Sequence, residues 1–193
     1  GVMQQLFSQQ LRFKDDNGQD FPDWEVKKLA SLSEIKKGKQ LNKEFLTKEG
    51  LYPCQNGGIE PSGYTSNFNT LENTITISEG GNSCGFVNFM KTKFWCGGHC
   101  YSILNLVEDT DSIFLYQSLK YNQNRIMRLR VGSGLPNIQK GDLSKLTLNI
   151  PVKKEQQKIA TFLERFDKKI TTVNKQLEGM QTFKKGLLQQ MFV

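Results

Sequence analysis

The C-terminal part of the chain contains its clearest pattern, in the stretch PVKKEQQKIATFLERFDKKITTVNKQLEGMQTFKKGLLQQMF, Pro151 to Phe192. Steps of four and three residues from Ile159 give an apolar row that only Lys184 interrupts. A 3.5-residue repeat sustained over this length keeps one face of a helix turned toward a partner helix. The pattern therefore predicts a coiled-coil helix over residues 152–193.

The predicted helix is too long to pack along a domain of this size. At 1.5 Å per residue, about 40 residues extend roughly 60 Å, which exceeds the width of such a domain. We therefore predict that the apolar row pairs with a second helix, and that two copies of this chain form an antiparallel, two-fold symmetric homodimer. The alternative is burial against the chain's own core. The predicted helix-pairing residues are Ile159, Leu163, Phe166, Ile170, Val173, Leu177, Met180, Leu187 and Met191.

The opening phrase of the chain, GVMQQLF (Gly1 to Phe7), recurs at its end as GLLQQMF (Gly186 to Phe192). Because glycine, glutamine, phenylalanine and apolar positions coincide, the first phrase predicts the end of a helix like the last one. We expect residues 1–19 to be the end of a preceding helix and a polar linker. On this interpretation the sequence is a piece of a longer chain in which domain and helix alternate.

Between these segments, residues 20–151 have the mixed character of a strand-rich α+β domain. The stretch NTITISEGG (Asn73 to Gly81) alternates apolar and polar side chains, which is typical of a strand. SCGFVNF (Ser83 to Phe89) and CYSILNL (Cys100 to Leu106) predict further short strands. DTDSIFLYQSLKYNQNRIMRL (Asp109 to Leu129) predicts one helix. The predicted fold class is α+β, a mixed, strand-rich domain followed by a long coiled-coil helix.

The overall charge is basic. The 193 residues carry a net charge of +7, and the pI is near 9.2. This balance favours nucleic acid or another anionic surface as a partner. Since no run of about 18 apolar residues occurs, we expect no membrane partner. No export leader is recognisable, so we predict a cytoplasmic protein with free thiols.

Basic residues concentrate in two segments. Residues 36–48 carry five lysines against one glutamate, and residues 120–145 carry six basic residues against one aspartate. Such cations bind phosphates, and Arg, Lys, Asn and Gln in loops can bind base edges. The alternative is a solvated basic face with ordinary polar turns. The predicted DNA-binding residues are Lys36, Lys37, Lys39, Lys43, Asn56, Tyr64, Asn67, Asn82, Lys91, Lys93, Arg128, Arg130 and Ser133.

The stretch WCGGHC places Cys96, His99 and Cys100 close together, with Cys84 upstream. These residues could form a metal or redox site. A second matched Cys pair is lacking, however, so buried structural thiols are the favoured interpretation. We recognise no nucleophile–base pair and no phosphate-binding loop, and we therefore predict neither catalytic nor metal-binding residues.

Five stretches spread over nearly the whole chain resemble the specificity subunit of type I restriction-modification systems. The most specific are PVKKEQQKIATFLERFDKKI, with Glu155-Gln156 after a proline, and the terminal KKGLLQQMF. The family has two recognition domains per chain, whereas this sequence shows one. It therefore resembles the C-terminal half of a subunit, a target recognition domain with the conserved spacer helix, or a natural half-subunit. The other three stretches are LRFKDDNGQDFPDWEVKKL (Leu11 to Leu29), TITISEGGNSCGFV (Thr74 to Val87) and GSGLPNIQKGDLSKLTLNIP (Gly132 to Pro151).

The resemblance implies that the chain recognises one half of a bipartite double-stranded DNA target and docks methyltransferase and endonuclease subunits. It also implies that the chain is not an enzyme and needs no cofactor, because S-adenosylmethionine, ATP and magnesium would be used by partner subunits. Two other classes stay open from the residues. One is an assembly scaffold whose domain binds protein, and the other is a thiol or metal enzyme built on the Cys/His cluster.

Overall fold

The computed structural model describes residues 1–132 and 134–191, in which short strands and helices precede one long helix. The predicted α+β class is confirmed. The strands are β1 (Glu25–Lys28), β2 (Glu34–Lys37), β3 (Tyr52–Gln55), β4 (Tyr64–Thr65), β5 (Thr74–Ser78), β6 (Val87–Met90), β7 (Trp95–Cys96), β8 (Cys100–Leu104) and β9 (Thr147–Ile150). The helices are α1 (Val2–Phe7), α2 (Leu29–Leu32), α3 (Ser112–Tyr121), α4 (Gln123–Met127), α5 (Lys140–Ser144) and α6 (Lys153–Met191), with a 3-10 turn at Lys43–Phe45.

The central sheet has four antiparallel strands in the order β2-β8-β5-β6. The predicted alternation of β5 is present, because Ile75 and Ile77 lie in the main core beneath helix α3. The opposite face of the sheet is also covered, by a smaller cluster that contains Phe94 and Cys100. Since both faces are covered, the polar Thr76 of β5 is buried as well.

Two smaller sheets complete the domain. Strands β4, β3 and β7 form one of them, in which β3 and β7 run parallel. Strands β1 and β9 form the other, with Glu25 opposite Ile150. The pairing of β1 with β9 joins the first and last strands of the domain immediately before α6 begins.

Residues 1–7 form the predicted helix, but this helix packs into the domain instead of preceding it. Leu6 and Phe7 are buried in the main core. The Phe7 ring lies 5.8 Å from that of Phe114 and stacks on Tyr121 at 5.1 Å, measured between centroids. The boundary expected at residue 20 therefore does not separate an outer segment from the core.

The helix predicted over residues 109–129 is interrupted at Asn122, so α3 and α4 are separate. The Asn122 side chain donates a hydrogen bond to the Ser118 carbonyl oxygen at 2.9 Å. Asparagine competes in this way with regular helical bonding, which favours a break. At the start of α3, Asp111 Oδ1 accepts from the Phe114 amide at 2.9 Å and caps the helix.

Helix α6 is a continuous helix of 39 residues, which confirms the predicted long helix. Its two parts have different surroundings. The root (residues 153–163) packs on the domain, whereas the side chains of the arm (residues 166–190) are almost all exposed to solvent. Ile159 and Leu163 are 1% and 5% exposed in the main core. The prediction that these two residues pair with another helix is therefore corrected, because their surface is already covered by the chain's own domain.

The Glu155-Gln156 pair explains how the root is held. The Glu155 side chain is fully buried and accepts hydrogen bonds from Arg12 Nε at 3.2 Å, Arg12 Nη2 at 2.8 Å and Trp24 Nε1 at 3.1 Å. This contact raises the pKa of the Arg12 guanidinium above its ordinary value. Gln156 accepts from the Asp111 amide at 2.8 Å and donates to the Asp109 carbonyl oxygen at 2.9 Å. The two side chains thus tie the helix to segments more than 40 residues away.

Candidate nucleic-acid interface

Loops that leave the central sheet and the three-stranded sheet converge on one side of the domain. Backbone hydrogen bonds connect them: the Lys39 amide donates to the Cys96 oxygen at 2.9 Å, and the Gly97 amide donates to the Gln55 oxygen at 2.9 Å. We call this surface the loop face. It comprises residues 37–40, 55–58, 79–82, 97–99 and 136–138.

Glycines allow these loops to approach one another closely. Gly57 has a φ of +83°, and a Cβ at this position would lie 2.7 Å from the His99 carbonyl oxygen. A side chain would therefore be strained by its backbone conformation and would also collide with the neighbouring loop. The loop face depends on backbone contacts of this kind.

A buried carboxylate lies at the centre of the loop face. Glu79 Oε1 accepts a hydrogen bond from Lys37 Nζ at 2.7 Å and lies 3.1 Å from the Tyr101 hydroxyl. Glu79 Oε2 lies 3.8 Å from His99 Nδ1. The backbone of Glu79 is also fixed, because its amide donates to the His99 oxygen at 2.9 Å and its oxygen accepts from the Ile138 amide at 2.8 Å. Glu79 thus connects four segments of the loop face or its base.

The Tyr101 hydroxyl stays protonated in this environment. Burial raises the pKa of Tyr101 well above its ordinary value, and the nearby Glu79 charge raises it further. The hydroxyl also lies 3.0 Å from the Ile138 carbonyl oxygen. A protonated hydroxyl between two acceptors supplies the donor that this buried site requires.

Several predicted DNA-binding residues lie on the loop face or directly beside it. Lys37, Lys39, Asn56 and Asn82 belong to its segments, and Lys36 precedes it on β2. The Asn56 side-chain oxygen already accepts from the His99 amide at 3.1 Å, so this oxygen supports the loop. The other members of this group are more exposed to solvent.

Arg130 is connected to the loop face by its neighbour. Val131 and Asn137 exchange two backbone hydrogen bonds, of 2.8 and 3.0 Å, and Asn137 belongs to the loop face. Burial raises the pKa of the Cys84 thiol at the base of this surface, and the positive charge of Arg130 acts in the opposite direction. The backbone next to Arg130 therefore lies beside the loop face, although it is distant from Lys37 and Lys39 in sequence.

A second group of predicted residues lies around the three-stranded sheet. Tyr64 is in β4, Asn67 follows that strand, and Lys43 begins the 3-10 turn. Lys93 Nζ lies 4.8 Å from the centroid of the Phe68 ring, a cation–π contact that restricts the lysine. These residues extend the polar surface beyond the loop face.

The remaining predicted residues lie elsewhere. Lys91 lines a groove between β6, α3 and α6, together with Tyr116 and Asp167. Arg128 is exposed at the end of α4. The structure does not join either residue to the loop face by a hydrogen bond, as far as the described residues show. Ser133 lies outside the described residues.

The cysteines are buried free thiols. Cys54, Cys84, Cys96 and Cys100 are all almost fully enclosed. Burial raises the pKa of Cys54 to about 11, so this thiol is protonated at neutral pH. Within residues 1–132 and 134–191, no group of three or more His, Cys, Asp and Glu side chains is placed to hold a metal ion. These observations favour the structural interpretation of the thiols.

Sequence reasoning missed Glu79 and Tyr101. Both lie in stretches predicted as strands, where they resemble ordinary core and edge residues. The available signal was a single acid at the end of a buried strand, immediately before Gly80 and Gly81, in a chain with many lysines. A buried acid requires a cation or several donors, so it should have been expected to organise its surroundings.

None of the helices described is both long and apolar enough to cross a membrane.

Comparison with known proteins agrees with the resemblance described above. The family model for the type I restriction modification DNA specificity domain matches residues 22–180. A type I specificity subunit of Mycoplasma genitalium is 39% identical over 160 residues, which cover 81% of this chain and 41% of the relative. The crystal structure of a type I restriction-modification S subunit from M. genitalium superposes with a TM-score of 0.76 at 36% identity, covering 86% of this chain and 43% of that one.

A more distant structure supports the fold alone. The HsdS subunit from Thermoanaerobacter tengcongensis gives a TM-score of 0.64 at 17% identity, over 90% of this chain and 44% of that one. The chain thus spans less than half the length of the relatives it matches. The relatives are named as specificity subunits, which agrees with the prediction that this chain is not an enzyme. The chain therefore belongs to the type I restriction modification DNA specificity family.

Proposed function

We propose that this chain recognises a short specific sequence in double-stranded DNA, one half of a bipartite target, through the loop face. The observation that carries the proposal is the convergence of five loop segments around one buried carboxylate, with Lys37 and Lys39 on one of these segments. Lysines attract the phosphate backbone, and polar side chains held on fixed loops can contact base edges. A surface built only for solubility would not need its loops tied together at a buried acid.

We propose that the arm of α6 pairs with a second helix of the same kind. Its apolar row includes Ile170 and Leu177, which are 55% and 52% exposed. An exposed apolar row of this length, which only Lys184 interrupts, indicates an interaction surface. When two copies of this chain supply the helices, an antiparallel arrangement gives a two-fold symmetric homodimer.

This pairing would set the distance between two loop faces. The arm extends roughly 40 Å at 1.5 Å per residue. One turn of DNA is about 34–36 Å, so two domains held apart by paired arms can contact half-sites separated by an unrecognised gap. The long helix thus gives a physical basis for a bipartite target.

The family membership leads us to propose partners as well. We expect docking of methyltransferase and endonuclease subunits, which would use S-adenosylmethionine, ATP and magnesium themselves. This chain would then need no cofactor of its own. The basic surface of α6 away from the apolar row is a suitable contact region for such subunits or for the DNA backbone.

Selection of duplexes from a randomised library tests the DNA proposal. We expect the chain to enrich a short motif at moderate salt, with affinity that falls steeply as salt rises. Binding without any base preference would contradict sequence recognition. DNA binding that is absent or insensitive to salt would favour the alternative of a protein-binding scaffold.

A further inference from the structure

We propose that Lys37 contacts a base edge directly and that Glu79 is the positioning residue that aims it. This inference rests on the proposed DNA recognition and assigns specificity to one lysine among the several on this surface. The neighbouring lysines, by contrast, would contact phosphates. The distinction follows from what each lysine touches in the structure.

Lys37 is held in place at its charged end. Its Nζ lies 2.7 Å from Glu79 Oε1, and its side chain is 53% exposed, whereas the Glu79 side chain is only 9% exposed. A free lysine samples many rotamers and binds as a mobile point charge. A lysine fixed by a buried carboxylate is pre-organised, so less conformational entropy is lost when it meets a defined acceptor.

The carboxylate itself cannot move easily. Tyr101 supports Oε1, and the backbone of Glu79 is bonded to His99 and Ile138. The register of the central sheet also fixes the backbone of Lys37, because Lys37 on β2 pairs with Tyr101 on β8. The position of Nζ is thus determined by the core of the domain and not by an exposed loop.

Lys36 and Lys39 lack such support. Both side chains are exposed, and in the described part of the chain no carboxylate oxygen lies within 4.0 Å of either ammonium group. Their full charge is available to phosphates. The charge of Lys37 is partly offset by Glu79. Electrostatic attraction to the DNA phosphates should therefore be the smaller part of its contribution to binding.

The chemistry of the fixed ammonium group fits a guanine. A lysine has three N–H donors, and the contact with Glu79 uses one of them. The other two can bind O6 and N7 of guanine in the major groove, which is a common specific contact of lysine. We therefore expect at least one guanine in the motif that this domain selects.

The test compares Lys37→Ala with Lys39→Ala on the selected duplex and on an unrelated duplex of equal length. Lys37→Ala should weaken binding to the selected duplex about 10- to 100-fold and should change binding to the unrelated duplex by less than about twofold. Lys39→Ala should weaken both duplexes by a similar factor and reduce the slope of affinity against salt by about one. If Lys37→Ala weakens both duplexes equally, Lys37 is a phosphate contact and the proposal is wrong.

Glu79→Gln tests the positioning role, because glutamine keeps the shape but removes the charge. We expect the selected duplex to bind about tenfold more weakly and the unrelated duplex to bind equally or more tightly, since a negative charge near DNA is lost. A merely structural defect would weaken both. An unchanged ratio between the two duplexes would overturn the role of Glu79.

Tyr101→Phe serves as the second variant if Glu79→Gln does not fold. It removes one hydroxyl near Glu79 and keeps the ring in the core. The ratio of selected to unrelated affinity should fall about two- to fivefold, because Glu79 keeps its contact with Lys37 but loses one supporting donor. A wild-type chain without base preference would contradict the proposed function itself. A preference that survives Lys37→Ala, Glu79→Gln and Tyr101→Phe would contradict only this inference.

Discussion

The root and the arm of α6 share one apolar repeat but have different surroundings. Ile159 and Leu163 in the root are buried, whereas the apolar members of the row from Phe166 to Leu187 are exposed along the arm. The side chain of Met191 lies outside the described residues. The repeat itself does not change where this difference begins. The two parts differ in what packs against them. Glu155 and Gln156 bond the first turns of the helix to the domain. A heptad pattern therefore predicts an apolar stripe but does not identify what covers it.

The largest effect should come from removing the buried acid of the root. Glu155→Ala removes the buried acceptor shared by Arg12 and Trp24, and leaves the Arg12 guanidinium with the exposed Asp23 as its one carboxylate among the described residues. The free energy of unfolding should fall by about 3–5 kcal/mol. Urea unfolding followed by circular dichroism would measure the change. Glu164→Ala removes an exposed acid from the same helix and should change the stability by less than about 0.5 kcal/mol. A loss below about 1 kcal/mol for Glu155→Ala would mean that the root is not anchored here.

The same substitution in root and arm sharpens the comparison further. Ile159→Ala should destabilise the domain by about 2–4 kcal/mol, because it leaves a cavity in the core. Ile170→Ala removes the same atoms from an exposed position and should lower domain stability by less than about 1 kcal/mol. Unfolding midpoints at low protein concentration, where pairing of arms contributes least, provide the measurement. Equal losses at the two positions would remove the distinction between root and arm.

A charge in the middle of the arm should affect association and not folding. Leu177→Lys should weaken dimerisation about 100-fold, or roughly 2.7 kcal/mol. Each copy would then bury one lysine charge in the apolar interface between the paired arms. Gln176→Lys places the same charge off the seam and is the control. Sedimentation over a range of concentrations would distinguish them, with the wild-type chain dimeric at micromolar concentration. A monomeric wild-type chain under these conditions would contradict the proposed pairing.

The smallest effect concerns a surface ion pair at the root. Asp16 Oδ1 lies 2.8 Å from Lys158 Nζ, and this contact lowers the pKa of Asp16 from 3.8. A lowered folded pKa adds stability above the ordinary carboxyl pKa, and this stability is lost as pH falls through the folded value. Asp16→Asn should therefore lower the melting temperature slightly at pH 7, and this difference should disappear as the pH falls through the lowered pKa of Asp16. Melting curves of both chains over a range of acidic pH would measure it.

Sequence patterns identified the local elements of this molecule better than their contacts. The long helix and the alternating strand around Ile75 and Ile77 follow from spacing alone. The break at Asn122 depends on one side chain that bonds to its own helix, which apolar periodicity does not detect. Lys37 was predicted as a DNA contact, but its carboxylate partner Glu79 was not, because the two are 42 residues apart and meet only when the sheet forms. Long-range pairing of this kind has no signature in a single sequence.

Helix α6 is fixed to the domain at its root, and the arm projects from that attachment. A rod of roughly 40 Å converts a tilt of about 5° at its base into a displacement of about 3–4 Å at its tip. That displacement is about the rise of one DNA base pair. A small change in the orientation of α6 at Glu155 would therefore shift a partner bound at the tip by about one base pair along the DNA. The rigidity of the contact between the root and the domain, more than the rigidity of the arm itself, would then limit how precisely the tip of α6 is positioned. The fully enclosed carboxylate at the base is placed where such precision is most needed.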